Sequence, residues 1–93
     1  MIHCVLHDPM DSVAVVVVET VKAGTKLTGL ILDENRTIEL ACVQDIPIGH
    51  KVALRDMAAG DTVIKYGVDI GKVVQPIKKG EHAHVHNIKT KRW

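Results

Sequence analysis

Short apolar runs rich in β-branched residues, separated by polar or glycine-containing turns, set the pattern of this chain. The run Val13–Val18 is almost entirely valine and predicts a strand that is buried on both faces. Leu27–Leu32 and Thr37–Val43 are two further predicted strands. The polar residues between them predict a hairpin turn in which Asn35 takes a left-handed backbone conformation.

The second half of the chain is divided by spaced glycines, each followed by a brief β-rich run; they are Gly49, Gly60, Gly71 and Gly80. Turn signals at spacings of about 8–12 residues are typical of a compact all-β domain. Only Leu54–Ala59 is compatible with a helical turn. We therefore predict a small, mainly β fold, a single domain over residues 1–93 built of short strands and hairpins with at most one short helical turn.

Composition and charge narrow the classes of function. The chain has 93 residues, of which 46% are hydrophobic, with one Trp, one Tyr and no Phe. Because single-stranded nucleic acid needs aromatic faces for stacking, and the formal net charge is only +1, we expect neither nucleic acid nor membrane as a partner. The apolar runs are also too short to cross a bilayer. Cys4 and Cys42 lie in apolar runs, so we expect core thiols and a cytoplasmic location.

The segment Gly80–Asn87 carries the strongest chemical signal, because histidines occupy alternate positions at His82, His84 and His86. In an extended strand alternate side chains project to one face, whereas on a helix this spacing would scatter them. Neutral imidazole is a metal ligand and also titrates near neutrality. The triplet therefore predicts one edge of a metal site or of an acid–base cluster, with three solvated surface histidines as the alternative.

Two other segments carry candidate binding residues. His50 and Lys51 follow the turn at Gly49, a position from which functional side chains are often presented. Lys65 and Tyr66 would place an ammonium and a phenol at one cleft, although a half-buried tyrosine is the alternative for Tyr66. The sequence has no phosphate-binding glycine loop, no HExxH and no four-ligand zinc set. These groups are too few for a complete pocket, so a half-site completed by a second polypeptide fits better.

Three stretches of the chain have a distinctive sequence, namely PIGHKVALRDMAAGDTVIKYG at 47–67, the following Ile-Gly at 70–71, and GEHAHVHN at 80–87. They resemble the SAF domain of the UxaA family, which is the N-terminal domain or the separate small subunit of altronate dehydratases and their relatives. The opening His-Asp at 7–8, followed by DSVAV at 11–15, is also similar. The resemblance covers nearly the whole chain. It implies a β-clip fold and a cytoplasmic lyase that uses iron(II) or another divalent metal, shared with a large catalytic subunit on another chain.

The resemblance also implies a reaction, which is β-elimination from an anionic 2-hydroxy acid. The C2 proton leaves, a sulfonate or hydroxyl group departs from C3, and the resulting enol becomes a ketone. The expected catalytic groups are His84, His86 and Lys65. The expected metal ligands are His82, His84 and His86. The expected substrate contacts are His50, Lys51, Tyr66 and Asn87.

Other functions stay open at this point. The chain could be a non-catalytic module that only holds the large subunit's active-site loops in place. It could also be a metal carrier that uses the histidine triplet alone, although imidazoles without thiolate or carboxylate ligands make a weak, open site. A nucleic-acid-binding barrel is disfavoured by the charge and the few aromatic residues. Exposed edge strands would also allow the isolated domain to form a homo-oligomer.

Overall fold

A computed structural model describes residues 1–65, 68–84 and 86–90 of the chain. Within these ranges the chain forms strands and no helix, and thus no helix that could cross a membrane. The strands are β1 (Cys4–Leu6), β2 (Val13–Val16), β3 (Thr20–Val21), β4 (Lys26–Ile31), β5 (Arg36–Ala41), β6 (Ile46–Pro47), β7 (Lys51–Ala53), β8 (Thr62–Lys65), β9 (Val68–Val73), β10 (His82–Ala83) and β11 (Ile88–Thr90). The predicted mainly β class is therefore confirmed.

The main sheet has six strands in the order β10-β7-β2-β1-β4-β5. Strands β1 and β4 pair in parallel, and the other neighbours pair antiparallel. Strands β11, β9 and β8 form a three-stranded sheet, and β3 and β6 form a two-stranded one. The predicted hairpin is confirmed as β4–β5, with Asn35 at a φ of 50° in its turn.

Strands β2 and β7 separate two apolar cores, because both of their faces are buried. Ala14 of β2 and its partner Val52 of β7 pack into one core. Val13 and its partner Ala53 pack into the other. The burial on both faces that the valine run predicts is therefore confirmed, although the strand ends at Val16, before the run itself ends.

The two cysteines are core residues, as predicted. Cys4 and Cys42 are both fully buried and belong to the same apolar core. Burial, with a smaller contribution from Cys42, raises the pKa of Cys4 to about 11. The Cys42 thiol donates a hydrogen bond to the carbonyl oxygen of Lys22, 2.9 Å away. These thiols therefore fill core volume and lie outside the candidate chemistry described below.

Residues 54–59 are not helical, so the helical turn that the sequence allowed there does not form. Met57 instead pairs with Ile77 in an isolated bridge, with reciprocal backbone hydrogen bonds of 2.7 and 2.8 Å. Both side chains are buried in the core that contains Val13. Burial of Met57 in this core thus overrides the local helix propensity of the segment.

A buried Asp-Ser pair fixes the end of β8 against β2. The Ser12 amide donates to the carbonyl of Ile64 at 2.7 Å, and the Ser12 hydroxyl accepts a hydrogen bond from the Ile64 amide at 3.1 Å. Asp11 is fully buried, and its carboxylate accepts backbone amides from the preceding turn. These bonds place Lys65, the next residue of β8, close to the main sheet.

Gly80 lies against the end of β5, where there is no room for a side chain. A Cβ atom at this position would overlap the carbonyl oxygen of Ala41, and the backbone has a φ of +88°. The Gly80 carbonyl also accepts a hydrogen bond of 2.9 Å from the amide of Val43. This contact fixes the start of β10 and therefore the histidines that follow it.

Replacing Gly80 with alanine should destabilise the chain more than the same replacement at Gly24. Gly24 has the same φ of +88° but open space around its Cβ position, so its replacement should cost only about 1–2 kcal/mol of left-handed strain. Gly80→Ala adds overpacking against the backbone, which should cost about 1–3 kcal/mol more. Urea unfolding of both variants measures the difference in the free energy of unfolding, and equal losses would contradict the tight contact at Gly80.

Candidate functional site

The register between β7 and β10 brings together histidines that are far apart in the sequence. His82 lies opposite Val52, and Ala83 lies opposite Lys51. Extending this antiparallel register by one residue puts His84 opposite His50. Directly opposite and alternate residues share a face of a sheet, so His50, His82 and His84 project to the same side.

These three residues, here called the imidazole cluster, are in direct contact. Nδ1 of His50 and Nε2 of His82 are 2.8 Å apart. The rings of His50 and His84 stack with centroids 3.9 Å apart, and those of His82 and His84 are 5.6 Å apart and nearly parallel. One ring nitrogen from each residue lies within 4.8 Å of the other two. The cluster therefore presents convergent nitrogen atoms from two strands.

The extended conformation predicted through His86 is wrong, because β10 ends at Ala83. The carbonyl of His84 accepts hydrogen bonds from the amides of Asn87 and Ile88, at 3.1 and 2.9 Å, which closes a turn. His86 lies in this turn, exposed, with its ring centroid 5.1 Å from that of His82. The structure thus leaves His86 beside the imidazole cluster, in contact with one ring.

Asn87 holds the turn that carries these histidines. It is 7% exposed, its Oδ1 accepts the amide of His84 at 2.9 Å, and its Nδ2 donates to the carbonyl of His82 at 2.8 Å. Both observed bonds of the side chain therefore go to the backbone of its own segment. The predicted contact between Asn87 and a substrate oxygen stays a prediction, whereas its positioning role is evident from these bonds.

Burial and mutual repulsion favour the neutral form of the imidazoles. Burial first, and then the charge of His50, lowers the pKa of both His82 and His84 below the usual histidine value. Lys51 contributes in the same direction at both residues. Neutral imidazole is the form that binds a metal ion or accepts a proton, so the cluster is prepared for either role.

The donor set fits the divalent metal that the family resemblance implies. Nδ1 of His84 is buried and has no hydrogen-bond partner in the described part of the chain. A buried polar atom of this kind is normally paired, since leaving it unpaired costs about 1–3 kcal/mol. Imidazole nitrogens suit zinc, copper, iron and nickel ions. The imidazole cluster would hold such an ion. The sequence pattern does not indicate His50 as a metal ligand, because only the pairing of β7 with β10 brings it to His82 and His84.

One candidate lysine, Lys51, lies within electrostatic range of the cluster, and the other, Lys65, lies within range of Lys51. Lys51 begins β7 immediately after His50, and the alternation of side chains turns it toward the other face of the strand. Lys65 ends β8, and both lysines are partly buried. Burial, followed by the charge of Lys65, lowers the pKa of Lys51, so the two ammonium groups are within electrostatic range of each other. The predicted residue Tyr66 lies outside the described residues.

Loss of the Asn87 side-chain amide should destabilise the turn that follows His84. Asn87→Ala removes both backbone hydrogen bonds of a buried side chain, so the free energy of unfolding should fall by about 1–3 kcal/mol. The NMR signals of the His82 and His84 rings should shift in the same variant. Gln75→Ala, which changes an exposed amide, is the control and should leave both readouts unchanged. Unaltered ring signals in Asn87→Ala would contradict the positioning role.

Comparison with known proteins identifies the class to which this fold and site belong. The family model described as the altronate/galactarate dehydratase SAF domain matches residues 2–91, so the chain belongs to that family. The resemblance predicted from the sequence motifs is therefore confirmed.

Two relatives are matched along nearly their whole length. The alpha subunit of (2R)-sulfolactate sulfo-lyase from Chromohalobacter salexigens is 61% identical over 89 residues, which cover 96% of this chain and 95% of that subunit. The corresponding subunit from Paracoccus pantotrophus is 55% identical over 64 residues, covering 69% of this chain and 96% of the relative. Altronate dehydratase from Escherichia coli is 41% identical over 81 residues, which are 87% of this chain but only 15% of that protein.

Proposed function

We propose that this chain is the small subunit of a two-chain lyase that splits (2R)-3-sulfolactate into pyruvate and sulfite. The observation that carries the proposal is the likeness to sulfo-lyase alpha subunits along nearly the full length of both chains. The imidazole cluster beside two partly buried lysines supports it, because the substrate is a dianion that must lose a weakly acidic proton. A large catalytic subunit would provide the rest of the site.

The reaction requires a base and stabilisation of negative charge. The base removes the proton from C2, the C3–S bond breaks, and its electron pair leaves with sulfite. The enol that remains becomes pyruvate when C3 takes up a proton. In this proposal His86, which lies beside the imidazole cluster, accepts the C2 proton, a role that contributes on the order of 10²–10⁴ to the rate, while His84 contributes to the metal edge of the site.

Two ammonium groups would hold the substrate's anionic ends. Lys51 and Lys65 lie within electrostatic range of each other and are partly removed from water, so an anion placed between them is held more strongly than at an exposed surface. One lysine would receive the carboxylate and the other the sulfonate. Iron(II) or another divalent metal at the imidazoles, shared with the large subunit, would supply Lewis-acid stabilisation of the charge that develops during proton removal.

A second candidate function is the small-subunit role in an altronate-type sugar-acid dehydratase. The likeness to altronate dehydratase favours it, although that likeness spans only a small part of the larger protein. The two reactions share the same proton removal from C2 and differ in the group that leaves C3. The same chain could also act purely as a scaffold, in which case the histidines would be dispensable for turnover.

Co-expression of this chain with a large subunit of the altronate dehydratase type, in the presence of iron(II), tests the class and the substrate together. Sulfite release from sulfolactate is expected, and water loss from altronate is not. The double variant His84→Ala/His86→Ala should abolish turnover while size-exclusion chromatography still shows the two chains together. His7→Ala, at a half-exposed histidine that lies beside Asp33, is the control. Near-normal turnover in the double variant would support the scaffold role instead.

Removal of the Lys65 ammonium should lower the catalytic efficiency of the two-chain complex with its anionic substrate. A hydrogen bond to a charged group is worth about 1.5–3 kcal/mol, so Lys65→Ala should lower kcat/KM for sulfolactate by roughly 10- to 100-fold. Lys72→Ala, at an exposed lysine of the neighbouring strand, should leave kcat/KM unchanged. Steady-state kinetics of the two-chain complex provide the measurement, and equal effects of the two substitutions would count against a substrate contact at Lys65.

A further inference from the structure

We propose that His50, His82 and His84 form an open three-imidazole site at which this chain by itself captures a divalent first-row transition metal ion. The proposal deepens the lyase function described above, because it assigns the metal's ligands to the small subunit. It also replaces His86 of the sequence triplet with His50 from a different strand.

The distances between the ring nitrogen atoms are close to those of a metal site. A zinc-type ion binds imidazole nitrogens at about 2.0–2.1 Å, which puts two such nitrogens about 3.3 Å apart at a tetrahedral angle. Nδ1 of His50 and Nε2 of His82 are 2.8 Å apart, and the third nitrogen, from His84, lies within 4.8 Å of both. Small rotations of the rings would therefore bring the cluster to binding distances, without a change in the strand register.

The buried nitrogen of His84 provides a second, independent observation. Its Nδ1 is enclosed by protein and has no hydrogen-bond partner among the described residues. The backbone around it is fixed, because Asn87 bonds the His84 amide and the His82 carbonyl. An ion bound at the cluster through Nδ1 of His84 would satisfy a nitrogen that has no partner among the described residues.

The donor chemistry selects the class of ion. All members of the cluster are histidines, whereas magnesium and calcium require oxygen ligands. Imidazole donors suit zinc, cobalt, nickel, copper and iron(II). Three protein ligands leave at least one coordination position open, which is the arrangement of catalytic rather than structural metal sites. A substrate or a group from the second subunit would take the open position.

Titration of the metal-free 93-residue chain with cobalt(II) tests the site without substrate or second subunit. Calorimetry should show one saturable equivalent, and visible absorption should show the bands of a cobalt ion bound to nitrogen. His50→Ala should weaken binding by more than about tenfold, since even the loss of an outer-shell partner costs about 10–100-fold. His86→Ala and the control His7→Ala should bind as the unchanged chain does. Circular dichroism of each variant establishes that it is folded, and His50→Gln replaces His50→Ala if that variant unfolds.

Paramagnetic NMR of the cobalt-loaded chain identifies the ligands directly. The ring signals of His50, His82 and His84 should show the largest shifts, ahead of those of His86. No saturable binding, full binding by the His50 variant, or an equal loss in His86→Ala would overturn the proposal. If the chain binds cobalt but its two-subunit complex releases no sulfite, the metal site stands and the sulfo-lyase function is rejected. Sulfite release by a complex whose small chain binds no cobalt would do the reverse.

Discussion

The pairing of β7 with β2 on one side and β10 on the other is the constraint on which the rest of the molecule depends. β2 and β7 send alternate side chains into two different cores. A one-residue slip of either strand would therefore move its side chains from each core into the other. β7 is therefore held in a single register. As a result His50, the residue that precedes β7, is placed opposite His84 and on the same face as His82. Apolar burial at the centre of the domain thus determines the geometry of the polar cluster at its edge.

The imidazole cluster lies within electrostatic range of the Lys51 ammonium, and this proximity affects its chemistry. Burial disfavours the charged form of His82 and His84, and the charges of His50 and Lys51 act in the same direction. Neutral imidazole bases and the ammonium group of Lys51 therefore lie close together. Such an environment is suited to an anionic ligand or a metal ion, and the family to which the chain belongs includes acid dehydratases.

The fold class could be predicted from the sequence because its signals are local. The valine run and the hairpin with Asn35 follow from side-chain branching and turn chemistry, which act within a few residues. The site could be predicted only in part, because its members are joined by a strand register. His82 and His84 are visible as a pattern, whereas the partnership of His50 with them depends on long-range pairing. The turn at His86 was missed for a related reason, since the bonds of Asn87 outweigh the alternation of the motif.

The close approach of Gly80 to Ala41 also has a consequence for the main sheet as a whole. Ala41 is the last residue of β5 at one edge of the sheet, and Gly80 lies two residues before β10 at the opposite edge. The hydrogen bonds from Val43 to Gly80 and from His82 to Gln44 join the two edges at this end. The two edges of the sheet therefore meet at this end, where the amides of Val43 and His82 and the carbonyl of Gly80 are engaged and cannot pair with a foreign strand. Because Gly80 has no side chain, the two edges of this small sheet can approach each other at one end, as the edges of a closed barrel do all along their length.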